Sequence, residues 1–316
     1  MSQRTADLQA ALHDVHRRCA GLGAGSLPDY IPELTKVDPA LFAVACCTVD
    51  GAVQTVGDAD HQFTMQSVSK PFVYAMALEA LGLEAVHRRV GVEPTGYAFY
   101  SMIRLQEGTN KPHNPMVNAG AIAVTDLIRA LNPDDATERI LACFTRFAAR
   151  DRMTIDDAVY RSERATGDRN RAIAYLMRHF RLIDGPVPDT LDLYFQHCAI
   201  LASCRDLAVM AATLANAGRN PLTGDQVLDV GLGQYVLTVM FVNGLYDYSG
   251  RFAFEVGVPA KSAVSGAILA VVPGRMGLAV FSPPLDEGGN SVRGIATLEY
   301  LSERLGLHTF RSGGER

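Results

Sequence analysis

Apolar residues along this chain recur at two spacings, and the change between them divides it into three stretches. Residues 5–19 carry Leu8, Leu12 and Val15 at helical intervals, which predicts an amphipathic helix. After a glycine- and proline-rich loop (GLGAGSLPDYIP), residues 41–49 and 53–56 read as two strands joined through Asp50-Gly51, a short hairpin signal. From about residue 67 to 218 the pattern is mostly helical, with apolar positions at helical intervals over 68–81, 117–131, 135–150, 169–180 and 203–217. Gly218 is placed to close the last of these in the left-handed conformation. A helix near 228–241 follows, then strand signals rich in valine, isoleucine and phenylalanine over 252–256, 263–272 and 276–281. Pro273-Gly274-Arg275 makes a turn between the last two, and 290–305 closes the chain as a helix.

Strands at both ends with helices between them predict a mixed α/β (α+β) fold. The N-terminal hairpin and the C-terminal strands would complete one antiparallel sheet flanked by the outer helices, and the central helices would form a second lobe. All 316 residues are read as one domain, with a sheet lobe over about 1–66 and 219–316 and a helical lobe over about 67–218. A cleft between the lobes is where a site is expected.

Composition narrows the function classes. At 48% hydrophobic and 20% charged, the chain has none of the signature of disorder. A net charge of −5 without a basic block argues against nucleic-acid binding. No stretch approaches the roughly 18 unbroken apolar residues of a membrane span, and the longest candidate, 266–273, reads as a buried strand. The first residues, MSQRTADLQAALHDVHRR, lack the apolar core of a secretory signal, so a cytoplasmic location is expected. The six cysteines show no C-x-x-C spacing, and Cys46 and Cys47 would point to opposite faces of a strand. Buried free thiols are expected, with neither a disulfide framework nor a metal site. His113, His13 and His16 have no supporting ligand cluster and read as structural or solvated.

Candidate chemistry begins at Ser67-Val68-Ser69-Lys70, where a serine and a lysine three apart share one face at a predicted helix start. A serine hydroxyl needs a base to take its proton, and a lysine serves only when uncharged, a state that burial or a second cation favours. Unpaired N–H groups of a first helical turn suit an anion, and Pro71 is tolerated there. Ser69 is a rival nucleophile that also suits a plain helix start. Pro259-Ala260-Lys261-Ser262-Ala263-Val264 forms a second element at the start of a predicted strand. In S-x-x-K hydrolases such a lysine lies on the strand flanking the nucleophile, supplies positive charge beside the first lysine, and an N–H of that strand completes an oxyanion hole. In this order the two elements resemble serine hydrolases with the fold of β-lactamases and penicillin-binding proteins.

The strings VGVEPTG (90–96), KPHNPMVNAGAI (111–122), SERATGDRN (162–170), LDLYFQHCAI (191–200), GLYDYSGRFAF (244–254), PAKSAVSGAI (259–268) and SPPLDEGGNSVRGI (282–295) resemble the serine-dependent glutaminase family, over about residues 30–294. The resemblance implies a β-lactamase/transpeptidase-like fold and a metal-independent amidohydrolase that converts L-glutamine to L-glutamate and ammonia without a cofactor. It further implies Ser67 as nucleophile, Lys70 as its activating partner, Tyr246 as proton relay, Tyr30 as another hydroxyl in the site, and Val264 as donor of the oxyanion N–H. Asn118, Glu163, Asn170 and Tyr194 are implied to hold the amino-acid end of the substrate. That division suits the chemistry, since an α-ammonium needs an anion and an α-carboxylate needs neutral donors. Without the resemblance, Glu163 in its charged run reads as a solvated helix residue, Tyr194 and Tyr246 as core tyrosines, and Asn118 as a helix cap.

Two positions depart from the family pattern: Ala263 stands where glycine is usual, and Phe99-Tyr100-Ser101 where the family has F-N-S. A homo-oligomer, dimer or tetramer, is common among similar enzymes. Two other functions share the expected fold or pocket. One is a β-lactam-reactive or D-alanyl hydrolase, which would need export and a larger pocket. The other is a non-catalytic amino-acid sensor, which would bind glutamine without turnover.

Overall fold

A computed structural model of the chain describes residues 3–95 and 108–311. The Phe99-Tyr100-Ser101 string lies outside the described residues. In chain order, α1 is Gln3–Cys19, β1 Ala43–Thr48, β2 Val53–Gly57 and β3 Phe63–Thr64. Then come α2 (Lys70–His87), α3 (Asn118–Leu131), α4 (Ala136–Ala148), α5 (Asp157–Thr166), α6 (Asp168–His179) and α7 (Val187–Cys198). They are followed by β4 (Leu201–Ala202), α8 (Cys204–Ala215), α9 (Leu232–Asn243), α10 (Ser249–Glu255), β5 (Ala260–Ser262), β6 (Ala267–Val272), β7 (Met276–Phe281) and α11 (Val292–Leu305).

The sheet is the one predicted: the N-terminal hairpin and the C-terminal strands form five antiparallel strands in the order β2-β1-β7-β6-β5. Its residues alternate between two cores, because successive side chains on a strand point to opposite faces. Ala43, Ala45 and Cys47 of β1 face one way with Ala279 and Phe281 of β7, toward α8 and the central helices. Val44, Cys46, Leu278 and Val280 face the other way, toward α1 and α11. The adjacent cysteines therefore occupy opposite faces, as their place on a strand requires.

Helix α8 lies directly on the sheet against β1, β6 and β7. Its approach is closer than a side chain on β7 would allow. A Cβ built at Gly277 would sit 2.2 Å from the Ala212 nitrogen and 2.4 Å from the Ala208 oxygen. Small residues on both partners make this contact. Beyond α8, α2, α4 and α9 continue the same core, and α3, α6 and α7 close around a further cluster with Ile122, Ile173, Leu191, Tyr194 and Phe195.

Some expectations need correction. Residues 252–256, expected as a strand, lie mostly in α10. Phe252 and Val256 are buried and four apart, a spacing that suits a helix as well as a strand, while Phe254 between them is 83% exposed and Arg251 pairs with Glu255 one turn on. The expected strand over 263–272 is two strands, β5 and β6, separated by a turn at 263–266, where the Gly266 N–H donates to the Ala263 carbonyl. Val264 is therefore on a turn rather than on a strand. Gly218 does take the left-handed conformation, but α8 ends earlier and Ala217 takes that conformation first. Apolar spacing does not predict α5 or α7, because α5 buries only Val159 and Glu163 while α7 is buried nearly all round and shows no stripe.

The contact between α8 and β7 makes a stability prediction. Gly277→Ala should destabilise the protein by about 1–3 kcal/mol through overpacking against α8 backbone. Urea unfolding, with an unchanged slope and a lower midpoint, checks it.

Candidate active site

Ser67 sits where the sheet meets the central helices. The short pair β3–β4 and the Met65 N–H, donating to the Ile200 carbonyl, tie the chain before it to the end of α7. Residues Gln66–Ser69 then form one tight helical turn that runs into α2, with Pro71 in the first turn of that helix. Gln66 has φ 47°, a left-handed backbone that costs a non-glycine residue about 1–3 kcal/mol and recurs where a side chain must be aimed. Strands β5 and β6 pack against this turn from the other side.

Lys70 is 1% exposed. Its Nζ lies 3.0 Å from Ser67 Oγ and 2.7 Å from Asn118 Oδ1. Burial pushes its pKa down to about 8, while Cys198 and Glu163 act in the opposite direction. Desolvation therefore prepares the free amine, with no need for a second cation. Asn118 opens α3, and its side chain does not cap that helix. Its Nδ2 donates instead to Asn170 Oδ1 on α6 at 3.0 Å. Lys70, Asn118 and Asn170 thus form one chain across three helices.

Tyr246 also has a left-handed backbone, with φ 58°. Burial raises its pKa, and its hydroxyl, turned toward the Ser67 and Ser262 side chains, is held down by both in part. Lys261 supports it from beneath: its Nζ lies 4.3 Å from the Tyr246 ring centroid and donates to the carbonyls of Gly244 and Ser262 at 2.7 Å each. A Cβ at Gly244 would sit 1.6 Å from the Ala260 oxygen, so only glycine lets the end of α9 approach β5 this closely. Burial and then the Lys70 charge push the Lys261 pKa well down. The second lysine expected beside the first is in place, but its surroundings work against the positive charge expected of it, and its contacts are with the Tyr246 segment.

Val264 is 3% exposed, and its side chain packs with Ile31, Leu34, Val159, Ala199 and Leu285. That small cluster fixes three site segments together: the Val264 turn, the chain beside Tyr30, and α5 beside Glu163. Among the described residues, neither the Ser67 nor the Val264 N–H donates to a backbone carbonyl. Ala263 carries its methyl into the main core without a left-handed backbone, so the change from glycine is accommodated.

Glu163 is 6% exposed, and its Oε2 has no hydrogen-bond partner among the described residues. Burial raises its pKa to about 7, against the pull of Lys70 and of Gln66. A buried, unpartnered carboxylate oxygen is costly and suits a cationic ligand. Tyr194 is buried on α7 with its pKa raised by burial. Tyr30 is 47% exposed, but its hydroxyl is the enclosed end, raised in pKa by burial and then by Tyr246 and Glu163. Contacts and mutual electrostatic effects thus link Ser67, Lys70, Asn118, Asn170, Glu163, Tyr30, Tyr194 and Tyr246, while Val264 packs beside the Tyr30 and Glu163 segments. Among the described residues, no three His, Cys, Asp or Glu side chains converge as a metal site would require.

The family model described as Glutaminase matches residues 25–310. This chain belongs to the glutaminase family. It is 51% identical over 307 residues to a glutaminase of Trichormus variabilis, covering 97% of this chain and 91% of that one. A glutaminase of Corynebacterium glutamicum is 44% identical over 299 residues, covering 94% and 72%. A solved structure described as probable glutaminase ybaS superposes with TM-score 0.94 at 42% identity, covering 99% of this chain and 100% of that one. The structure of Mglu in its glutamate form gives 0.92 at 38% identity, covering 97% and 70%. The β-lactamase-like architecture of this family is the fold observed here.

One buried polar residue of this glutaminase-family chain has no place in the sequence reading. His197, within LDLYFQHCAI, lies behind the Ser67 turn with Ser69 and Thr125 as partners. No local pattern marks it, because those partners come from the Ser67 turn and α3, more than 70 positions away in the chain.

The geometry of Ser67 and Lys70 makes a reactivity prediction. Labelling of Ser67 by a small sulfonyl fluoride, followed by mass spectrometry, should accelerate with pH around a midpoint near 8. Lys70→Met should remove the pH-dependent part of that rate.

Proposed function

We propose that this single catalytic domain hydrolyses the side-chain amide of L-glutamine to L-glutamate and ammonia through an acyl intermediate on Ser67. The observation that carries it is the buried Lys70 amine 3.0 Å from Ser67 Oγ, near enough to Glu163 for each to shift the other's pKa, while a Glu163 carboxylate oxygen has no hydrogen-bond partner among the described residues. Membership of the glutaminase family, with relatives about half identical over nearly the full chain, supports the substrate.

Glu163 meets the α-ammonium of glutamine. Asn170, braced by Asn118, and the hydroxyls of Tyr194 and Tyr30 meet its α-carboxylate. Ser67 Oγ attacks the side-chain amide carbon as its proton passes to Lys70 Nζ. The oxyanion that forms is held by the N–H groups of Ser67 and Val264. Tyr246, with its hydroxyl beside Ser67, relays a proton to the departing nitrogen, and ammonia leaves. Water then attacks the γ-glutamyl ester as Lys70 again takes a proton, which passes to Ser67 Oγ when the ester C–O bond breaks and glutamate departs. No step calls on a metal or an organic cofactor.

Among the described residues, no helix is long and apolar enough to cross a membrane. A homo-oligomer, dimer or tetramer, working in the cytoplasm completes the reading; all six cysteines are free thiols, which suits a reducing compartment.

Three measurements test it. Ser67→Ala should abolish ammonia release from glutamine while leaving the thermal midpoint within a few degrees, and undiminished release would move the nucleophile elsewhere. Glu163→Gln should raise KM for glutamine about 100-fold or more with a smaller change in kcat, since a charge-assisted bond to the ammonium is lost. The pH profile should have a rising limb. Lys70 becomes a free base as pH rises through about 8, and Glu163 gains its charge as pH rises through about 7. So kcat/KM should fall as pH drops through 8 and more steeply below 7, and the Glu163→Gln variant should lose the steeper part.

A further inference from the structure

Directly behind the nucleophile lies a set of buried polar groups that the acyl-transfer chemistry does not use. His197 on α7 is 1% exposed, and Ser69 and Thr125 are fully buried. His197 Nδ1 is 2.9 Å from Ser69 Oγ, and its Nε2 is 3.1 Å from Thr125 Oγ1. Ser69 Oγ is also 2.7 Å from the carbonyl oxygen of Gln66, the residue that precedes the nucleophile with a left-handed backbone.

Counting protons assigns a direction to this chain. Burial, and then the charge of Lys70, push the His197 pKa down to about 3, so the ring is neutral and carries one N–H. Ser69 and Thr125 carry one O–H each. When Ser69 donates to the Gln66 carbonyl, the shorter of its two contacts, its oxygen must accept from His197 Nδ1–H. Thr125 then has one O–H for two acceptors, Nε2 at 3.1 Å and the Ala121 carbonyl of its own helix at 2.8 Å, so three protons serve four contacts and the longest of the four can be the one given up. The opposite tautomer would serve Thr125 fully and make Ser69 give up either the Gln66 carbonyl at 2.7 Å or Nδ1 at 2.9 Å, both shorter than the Thr125–Nε2 contact.

We infer that His197 is a positioning residue for the reaction: as the Nδ1–H tautomer it orients Ser69, and through Ser69 it holds the Gln66 carbonyl and with it the backbone that presents Ser67. The inference rests on Ser67 as the nucleophile. It gives Ser69, which the sequence offers as a rival nucleophile, a different task. It also explains why an imidazole is buried on α7 with Leu193, Tyr194 and Cys198. Burying an unpaired imidazole is expensive, and each ring nitrogen here has a hydroxyl within hydrogen-bond distance.

Two substitutions separate the ring nitrogens. In His197→Asn the side-chain amide reaches the place of Nδ1 and can donate to Ser69; in His197→Gln it reaches the place of Nε2 and Thr125. With the full chain and glutamine as substrate, His197→Asn should keep kcat within about threefold of the parent. His197→Gln should lower kcat about tenfold or more with KM changed less than about threefold. Adding Ser69→Ala to His197→Gln should cost little further, because both changes break one chain of bonds. In ¹⁵N-edited spectra of histidine-labelled parent protein, His197 should be the Nδ1–H tautomer. An Nε2–H ring, equal losses in the two variants, or losses that simply follow the thermal midpoint would overturn the inference. If a variant fails to fold, the tautomer of the parent decides alone. Ser67→Ala keeps the two readings apart: ammonia release that survives it removes the nucleophile, while the spectrum still judges the tautomer.

Discussion

A lysine amine is kept out of water beside a serine hydroxyl, and the surrounding structure is arranged around that contact. Lys70 is 1% exposed and its Nζ touches Ser67 Oγ and Asn118 Oδ1. An ammonium in such surroundings is penalised by desolvation, which shifts the group toward the free amine that a serine nucleophile needs. The penalty exists only while the wall of the site stays closed. That wall comes from both sides of the molecule: α2 and α3 from the helices, and β5 with its following turn from the sheet. Keeping those elements in register is therefore a condition for holding the Lys70 amine dry beside Ser67.

Rigidity is supplied by close backbone contacts. Helix α8 rests on β7 at Gly277, and the end of α9 rests on β5 at Gly244, in each case closer than a Cβ permits. The second contact carries Lys261, Tyr246 and Ser262 together. Gln66 and Tyr246, the two left-handed residues of the site, flank the Ser67 hydroxyl from opposite elements. Packing elsewhere must offset the strain at both. The main core and the cluster around Val264 provide that packing, so stability and aiming of the reactive groups come from the same contacts.

Charge in the pocket follows a related logic. Glu163 is buried with one oxygen unpartnered among the described residues and its pKa raised, so its ionised form is costly until a cation arrives. An ammonium ligand would relieve that cost, and a neutral one would not. Asn118 and Asn170 bring no formal charge and suit the opposite end of an amino acid. Glu163 on α5, Asn170 on α6 and Tyr194 on α7 are the residues proposed to share one substrate, and α5 and α6 both pack on α7.

Much of this could be read along the chain. Strand signals at its two ends predict the sheet, and helical spacing predicts α1, α2, α3, α4, α6, α8 and α11, because apolar residues recur along each at the helical period. The S-x-x-K spacing brought Ser67 and Lys70 to notice, and the long family strings brought Asn118, Glu163, Asn170, Tyr194, Tyr246 and Val264. Local pattern failed where two periods coincide, as at Phe252 and Val256, or where no face is exposed, as in α7. Only the folded chain decides that Lys70 loses water on every side, that Glu163 keeps an oxygen without a partner, and that His197 stands behind Gln66. Those are properties of residues far apart in sequence, since desolvation and hydrogen bonding depend on what surrounds a group in space, whereas periodicity records only which side of its own element it occupies.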